Sequence, residues 1–200
     1  MKQEREEKEV TKKEFRRKAE NIRDSIPAHE KQKLDVAIQN HLLSWKLFKE
    51  VHYIFCYVSF RSEVNTHPII KKAIDEGKTV AVPKIEIRSG EIKAYIIESM
   101  EECLEPGAFG ILEAKSDCRE MDYSKLELII APGFAFTMRG DRLGYGGGFY
   151  DRFLKKYNGV PVCGLTYDCL IFDYLPVKEH DSPVDYLITE SGVKKTLKGN

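Results

Sequence analysis

The sequence predicts one α/β domain, in which a mostly parallel β-sheet is flanked by helices and preceded by an N-terminal helical pair. We expect residues 1–200 to form this domain, because 200 residues is a usual size for one domain. The central part reads as a strand at Tyr53–Val58, a helix at residues 65–76 and a strand at Thr79–Pro83. A βαβ unit of this kind implies parallel pairing. The hydrophobic fraction of 42% is sufficient for a core without disulfides.

The N-terminal pair is predicted from apolar residues at helical spacing. Residues 11–26 form the first helix, whose apolar face consists of Phe15, Ala19, Ile22 and Ile26. Its opposite, basic face consists of Lys12, Lys13, Arg16, Arg17 and Arg23. Pro27 ends this helix, because proline disfavours helical geometry in the residue before it. The second helix covers roughly residues 28–49, with an inward face of Leu34, Ile38, Leu42, Trp45 and Phe48. Residues 1–10 are predicted to be a flexible charged tail.

The remaining elements follow from short apolar runs and from capping residues. Tyr53–Val58 is continuously apolar, which is typical of a strand covered on both faces. The helix at 65–76 can be capped by Asn65 or Thr66 and ended by Gly77. A further helix is expected from about Phe149. Further strands are predicted at Ile92–Ile97, Leu126–Ala131, Val162–Thr166 and Tyr186–Thr189.

Composition excludes several classes of function. The 32 basic residues are balanced by 32 acidic ones, so the basic field of a general nucleic-acid binder is absent. The chain start has no apolar signal-peptide core, and no apolar run approaches the roughly 18 residues of a membrane-spanning helix. Five cysteines without a Cys-x-x-Cys pair argue against a disulfide framework or a zinc site. We therefore expect a cytoplasmic protein without nucleic-acid or membrane partners.

The most informative segment is residues 131–154, APGFAFTMRGDRLGYGGGFYDRFL. It lies between a predicted strand and a predicted helix and contains glycines at 140, 144, 146, 147 and 148. Glycines let a backbone approach an anion closely, and a helix N-terminus supplies free N–H groups with a partial positive charge. Arg139 and Arg142 add two permanent cations. Because ligands of open α/β sheets bind beyond the carboxyl ends of the strands, the segment predicts a phosphate site.

Alternatives to this interpretation remain open. The glycines could serve a tight turn for steric reasons alone, and the segment matches neither a Walker A loop nor the dinucleotide pattern, since Phe149 follows Gly148. Asp151 lies in the first turn of the predicted helix, where a carboxylate stabilises the helix dipole or serves as a hard oxygen ligand for magnesium. Asp185 could supply a second carboxylate or be a turn residue.

The segment RGDRLGYGGGFYDR at 139–152 resembles the signature of the 5-formyltetrahydrofolate cyclo-ligases, also called methenyltetrahydrofolate synthetases. The resemblance extends from about Lys12 to Gly192. It includes KKEFR at 12–16, SFRSEV at 59–64, Val82-Pro83, PGAFGI at 106–111, His180-Asp181, Val184-Asp185 and Thr189-Glu190. Three positions depart from the common family pattern, namely Thr137, Phe149 and Ala114-Lys115.

The resemblance implies the site residues. It assigns ATP to Lys12, Lys13, Glu14, Phe15, Arg16, Arg142, Leu143, Gly144, Tyr145, Gly146, Gly147, Gly148, Phe149 and Tyr150. It assigns the folate to Val58, Glu63, Tyr145, Gly146, Gly147, Gly148 and Phe149, with Glu63 accepting hydrogen bonds from the pterin ring. It assigns Mg²⁺ to Asp151 and Asp185. The alternatives are purely structural roles, in which residues 12–16 form a solvated helix face and Val58 is a core residue.

The implied reaction is closure of 5-formyltetrahydrofolate to 5,10-methenyltetrahydrofolate, with release of ADP and phosphate. ATP phosphorylates the formyl oxygen, and N10 then attacks the activated carbon. Phosphoryl transfer needs positioning and charge neutralisation more than a protein nucleophile, so Arg142 is the candidate catalytic residue. Two other classes stay open. One is a sugar-phosphate isomerase or deaminase without an ATP requirement. The other is a single-strand nucleic-acid module, which zero net charge disfavours.

Overall fold

The computed structural model of the protein describes residues 11–107 and 110–198, so the predicted tail at residues 1–10 lies outside the described residues. The helices are α1 (Lys12–Asp24), α2 (Ala28–Ser44), α3 (Lys46–Glu50), α4 (His67–Asp75), α5 (Met100–Cys103) and α6 (Phe149–Lys156). The strands are β1 (Tyr53–Cys56), β2 (Thr79–Glu86), β3 (Glu91–Ile97), β4 (Leu104–Pro106), β5 (Leu112–Ala114), β6 (Leu128–Ala131), β7 (Ala135–Phe136), β8 (Arg142–Leu143), β9 (Val162–Leu165), β10 (Tyr186–Thr189) and β11 (Gly192–Lys195).

One sheet of seven strands runs through the molecule in the order β11-β10-β9-β6-β1-β2-β3. The central pairs β10-β9, β9-β6, β6-β1 and β1-β2 are parallel, and the outer pairs β2-β3 and β10-β11 are antiparallel. Register places Ile54 beside both Val80 and Leu128. The predicted α/β class with a mostly parallel sheet is therefore confirmed.

Side chains of the central strands alternate between two cores, one on each face of the sheet. Ile54 and Cys56 of β1 point into the core that α1, α2 and α4 cover. Phe55, between them, points into the core that α6 covers with Phe153 and Leu154. This double coverage explains why the central strands are continuously apolar. Within the described part of the chain, no helix combines the length and the apolar composition needed to cross a membrane.

The predicted helices form, with shifted boundaries. Thr11 caps α1 in a capping box with Glu14. The predicted helix 28–49 is divided, because Trp45 adopts an extended backbone and packs its ring on Tyr186 at 4.8 Å. Thr66 precedes α4, but its hydroxyl bonds to the Tyr57 carbonyl. The helix N-terminus is capped instead by the Asn65 side chain, which accepts from the His67 amide at 3.1 Å.

The strand predictions missed the short and exposed elements. β1 ends at Cys56 rather than Val58, β6 begins at Leu128 rather than Leu126, and β9 ends at Leu165 rather than Thr166. β2 continues past Pro83 to Glu86 because it forms a hairpin with β3. The sequence analysis did not predict the pairs β4-β5 and β7-β8 or the edge strand β11. These strands are too short to show a recognisable alternation of apolar and polar residues.

Gly164 in β9 tests how tightly the sheet packs on the core below it. A Cβ atom at Gly164 would lie 2.5 Å from the Phe136 ring and 3.2 Å from Leu187. We expect Gly164→Ala to lower the free energy of unfolding by about 1–3 kcal/mol, as overpacking of a core does. Urea denaturation measures this difference. Lys195→Ala on the exposed edge strand is the control, expected within about 0.5 kcal/mol of the parent; equal stability of the two variants would contradict the packing argument.

Candidate active site

A cleft of about 620 Å³ opens at the carboxyl edge of the parallel strands. The segments that follow β1 and β6 form its floor, and α1 and the glycine loop (residues 144–148) form its walls. Residues from the sequence assignment that line it are Lys12, Arg16, Val58, Glu63, Arg142, Leu143, Gly144, Tyr145, Gly146, Gly147, Gly148, Phe149, Tyr150 and Asp151. The structure therefore brings most of the predicted residues to one cleft.

A buried ion pair lies beneath the glycine loop. Arg142 of β8 donates from Nη2 to Oδ1 of Asp151 in the first turn of α6, at 2.5 Å. The arginine is 3% exposed, and its Nη1 donates to the Pro132 carbonyl at 3.3 Å. Burial lowers the pKa of Arg142, and the Asp151 carboxylate opposes this effect. Among the described residues, no group accepts a hydrogen bond from the Arg142 Nε.

The glycine loop is held in a conformation that most residues could not adopt. Gly146 has φ +102° and Gly148, the N-cap of α6, has φ +68°. Arg16 donates from Nε to the Gly144 carbonyl at 2.7 Å, which ties α1 to the loop. Arg152 donates to the carbonyls of Gly147 and Gly90, which ties the other side of the loop to the β2-β3 hairpin. The first N–H groups of α6 follow at once and are free of helix partners.

Some side chains at the start of α1 line the cleft and others lie outside it. Lys12 and Arg16 line the cleft, and Lys12 pairs with Asp181. Three other residues assigned to ATP by resemblance do not line it. Lys13 is exposed, Glu14 completes the capping box, and Phe15 packs on Phe172 at 5.8 Å.

The other half of the cleft contains a buried carboxylate. Glu63 is 9% exposed and accepts from the Phe60 amide at 2.8 Å, while its second oxygen accepts from the Tyr145 hydroxyl. Burial raises the pKa of Glu63; the hydrogen bonds from Tyr145 and Phe60 oppose this effect. Val58 lies beside it and is almost fully buried. This half of the cleft offers a carboxylate acceptor between apolar and aromatic walls.

The two aspartates assigned to magnesium lie apart. Asp185 precedes β10 at the amino edge of the sheet, where its carboxylate accepts from the Val162 amide at 2.8 Å and pairs with Lys198 at 2.9 Å. It does not line the cleft, whereas Asp151 and Asp181 do. The described residues contain no group of three or more His, Cys, Asp or Glu side chains that could hold a metal ion.

Two departures from the family pattern have structural roles. Thr137 is fully buried, and its hydroxyl binds the Asp141 carboxylate at 2.8 Å and accepts from the Arg139 amide. It thereby closes the turn that precedes β8. Phe149 lines the cleft under the Arg152 guanidinium, 5.1 Å from the ring centroid.

Sequence reasoning missed several residues of the cleft. The basic cleft residue Arg23 belongs to the first predicted helix but was assigned to its solvated face. Tyr57 and Phe60 lie within two residues of Val58, and Lys178 lies two residues before His180. The remaining cleft residues that were not assigned a role are Glu20, Arg61, Pro83, Ile85, Ile111, Glu113, Pro132, Phe134, His180 and Asp181. The only signals for them were proximity to a motif and membership of the resemblance at His180-Asp181.

Fold and cleft define the class: an α/β protein with a glycine-rich loop beside a cleft at the carboxyl edge of its sheet. Residues 8–190 match the model of the 5-formyltetrahydrofolate cyclo-ligase family, and the chain belongs to that family. The resemblance stated from the sequence is confirmed, and the protein is an enzyme of this ligase family. It is neither an isomerase or deaminase nor a non-enzymatic nucleic-acid module.

Individual relatives agree with the family assignment over nearly the whole chain. The chain is 30% identical over 175 residues to 5-formyltetrahydrofolate cyclo-ligase of Escherichia coli strain K12, covering 86% of this chain and 96% of that protein. A probable 5-formyltetrahydrofolate cyclo-ligase of Caenorhabditis elegans is 30% identical over 194 residues, covering 92% and 94%. The solved structure of Aquifex aeolicus 5,10-methenyltetrahydrofolate synthetase is similar with a TM-score of 0.83 at 32% identity, covering 96% and 95%.

The Arg142–Asp151 pair predicts a stability effect. We expect Asp151→Asn to lower the free energy of unfolding by about 3 kcal/mol, because the buried guanidinium loses its counter-charge. Urea denaturation at neutral pH measures the effect. Asp185→Asn is the matched control, since it breaks a more exposed pair and should cost about 1 kcal/mol or less. An Asp151 variant as stable as the parent would show that the pair does not stabilise the loop.

Proposed function

We propose that the protein closes 5-formyltetrahydrofolate to 5,10-methenyltetrahydrofolate in a reaction that consumes ATP and needs Mg²⁺. The observation that carries the proposal is one continuous cleft with two different ends. A buried cation and a glycine loop lie at one end, and a buried carboxylate lies at the other. A phosphate donor and a heterocycle with N–H donors fit these ends. The two ligands would meet at Tyr145 to Phe149.

The phosphate end fits the triphosphate of ATP. Among the described residues, no group accepts a hydrogen bond from the buried Arg142 Nε. Buried donors usually have an acceptor, and an anionic ligand can supply one. Lys12 and Arg16 add positive charge from α1, and the N-terminus of α6 adds its free N–H groups. Of the residues assigned by resemblance, Lys12, Arg16 and Arg142–Tyr150 keep their proposed ATP roles. Lys13, Glu14 and Phe15 are left with structural or solvent-exposed positions.

Magnesium fits the cleft through Asp151. Mg²⁺ in nucleotide sites is commonly held by one or two carboxylates together with substrate phosphates. Asp151 lies in the cleft beside Arg142 with its Oδ1 already accepting two hydrogen bonds, so Oδ2 is the oxygen offered to a cation. When bound, the ion would neutralise charge on the phosphates. Asp185 is not proposed as a ligand, because its carboxylate is bound at the opposite edge of the sheet.

The folate end orients the reacting atoms. Glu63 would accept hydrogen bonds from ring N–H groups of the pterin, and Val58 and Phe149 would pack on its faces. The formyl oxygen would then face the glycine loop. That oxygen attacks the terminal phosphorus of ATP and ADP leaves. N10 then attacks the formyl carbon, its proton passes to the departing phosphate or to water, and phosphate leaves with the oxygen. Arg142 stabilises the charge on the transferring phosphoryl group.

The test is formation of methenyltetrahydrofolate, followed by its absorbance in the near ultraviolet. Purified protein is mixed with 5-formyltetrahydrofolate in four reactions that contain ATP, Mg²⁺, both or neither. We expect product only with both, together with one ADP released per product. Absence of ATP-dependent product would overturn the proposal. Product without ATP would overturn the phosphorylation step. The cytoplasmic location and the lack of nucleic-acid or membrane partners stay predictions.

Removal of the buried cation should impair turnover. We expect Arg142→Ala to reduce kcat by two or more orders of magnitude, since loss of one such stabiliser raises the barrier by about 3–4 kcal/mol. Steady-state kinetics measures this, and circular dichroism shows whether the variant is folded. Arg139→Ala is the matched control, because Arg139 is an exposed cation on the preceding turn and does not line the cleft. A folded Arg142 variant with activity within a few-fold of the parent would place Arg142 outside the chemistry.

Substitution of Arg16 should affect the KM for ATP and the KM for the folate differently. Its guanidinium lies against Gly146 and holds the loop at Gly144, on the side of the cleft proposed for ATP. We expect Arg16→Ala to raise the KM for ATP roughly 10- to 100-fold, the loss of one or two hydrogen bonds to a charged group. The KM for the folate should change much less. Titration of each substrate separately, with the exposed Arg17→Ala as control, distinguishes the two constants. An unchanged KM for ATP would leave Arg16 as a structural residue only.

A further inference from the structure

Arg23 is a buried cation that the proposed mechanism does not use. It lies on α1, is 5% exposed and lines the folate end of the cleft. Its Nε donates to the Ser62 hydroxyl at 2.9 Å, and its guanidinium lies over the Phe134 ring, 5.1 Å from the centroid. These two contacts fix the side chain. Burial of a charged guanidinium costs free energy, and among the described residues no ion pair of Arg23 offsets this cost. We therefore expect its charge to have a function.

The Tyr145 hydroxyl lies between Arg23 and the buried carboxylate of Glu63. It donates to one oxygen of Glu63, and Arg23 reaches the same part of the cleft through its hydrogen bond to Ser62, the neighbour of Glu63 in the chain. The other oxygen of Glu63 is occupied by the Phe60 amide. Each carboxylate oxygen can accept two hydrogen bonds, so a pterin that brings two ring N–H groups to Glu63 competes with the Tyr145 hydroxyl for this position. Tyr145 is able to leave, because its side chain is 49% exposed and glycines flank it on both sides.

When Tyr145 leaves, Glu63 loses a hydrogen bond that favours its charged form. Burial raises the pKa of Glu63, and Tyr145, Phe60, Arg23 and Lys31 all oppose that increase. A protonated Glu63 has a hydroxyl in place of one acceptor oxygen, so it accepts fewer hydrogen bonds from ring N–H groups than the carboxylate does. Recognition of the ring thus requires another group to keep Glu63 ionised during the exchange.

Several cations and three phenols lie around Glu63 on the elements packed against it. Tyr57, Tyr145 and Tyr150 stay neutral, because burial raises the pKa of each. Lys31 of α2 is bound to Asp35 at 2.7 Å, which offsets its charge. Arg142, in the same cleft, is paired with Asp151. Arg61, two residues before Glu63, is exposed and lies over the Phe60 ring, 5.1 Å from the centroid. Arg23 is the buried cation at this end that has no ion pair among the described residues.

We propose that Arg23 is a positioning residue for the folate, which holds Glu63 as a carboxylate while the pterin replaces the Tyr145 hydroxyl. The inference rests on the proposed function, since it takes the folate as the ligand of Glu63. Arg23 acts through Glu63 and takes no part in phosphoryl transfer. Its effect should therefore be seen in folate binding and in the pH dependence of that binding.

The test is the dissociation constant of 5-formyltetrahydrofolate, measured by isothermal titration calorimetry without ATP between pH 5 and pH 8. In the parent, binding weakens as pH falls and Glu63 becomes protonated. We expect Arg23→Gln to move the midpoint of this loss upward by about one pH unit, as removal of a nearby opposite charge does. Arg23→Lys keeps a positive charge and should restore the parent midpoint. Arg17→Gln, on the exposed face of the same helix, should leave it unchanged.

The outcomes separate this inference from the proposed function. A folded Arg23→Gln variant with the parent midpoint overturns the role of Arg23 alone, as does an Arg23→Lys variant that behaves like Arg23→Gln. If Arg23→Gln does not fold, the Arg23→Lys and parent profiles still decide, because a charge-preserving variant with a shifted midpoint contradicts the proposal. A parent protein that does not bind 5-formyltetrahydrofolate at any pH overturns the proposed function and this inference with it.

Discussion

The architecture of the cleft depends on the buried ion pair between Arg142 and Asp151. One residue precedes the glycine loop and the other follows it, so their contact at 2.5 Å closes the loop at its base. The same Asp151 oxygen accepts from the Ser182 amide, which brings the segment of Asp181 to the cleft. Asp181 in turn binds Lys12 and thereby holds the start of α1. A chain of three contacts that begins at this ion pair thus connects β8, α6, the segment before β10 and the N-terminal helix.

Burial of this pair costs desolvation free energy, and the contact between the two charges offsets only part of that cost. Desolvation disfavours the Arg142 charge, Asp151 offsets it, and one donor of the guanidinium remains unsatisfied among the described residues. A protein selected for stability alone would gain from an apolar pair at such a position. An anion that joined the site would supply the acceptor that Nε lacks, without reorganisation of the loop.

The sequence predicted the parts of the site that depend on local order. The glycine loop follows a strand and precedes a helix, so its place at the sheet edge follows from topology alone. Arg23 could not be assigned this way, since a helical periodicity cannot distinguish a solvated arginine from one that tertiary packing buries against Phe134. Asp185 was assigned to the site from its position in the sequence, but the structure places it elsewhere. It lies close to a motif in sequence, but it precedes its strand, and that end of a parallel strand faces away from the cleft.

The glycine loop also links the two ends of the cleft. Tyr145 is the point of connection, because its backbone lies between two glycines of the phosphate loop while its hydroxyl occupies Glu63. α1 reaches both halves of the cleft, with Arg16 at the Gly144 carbonyl and Arg23 at the hydroxyl of Ser62, the neighbour of Glu63. Because the loop carries Tyr145, a movement of this side chain away from Glu63 would move the backbone between Gly144 and Gly146. A change in the contacts of Glu63 would thus reach the N-terminus of α6 through the glycine loop.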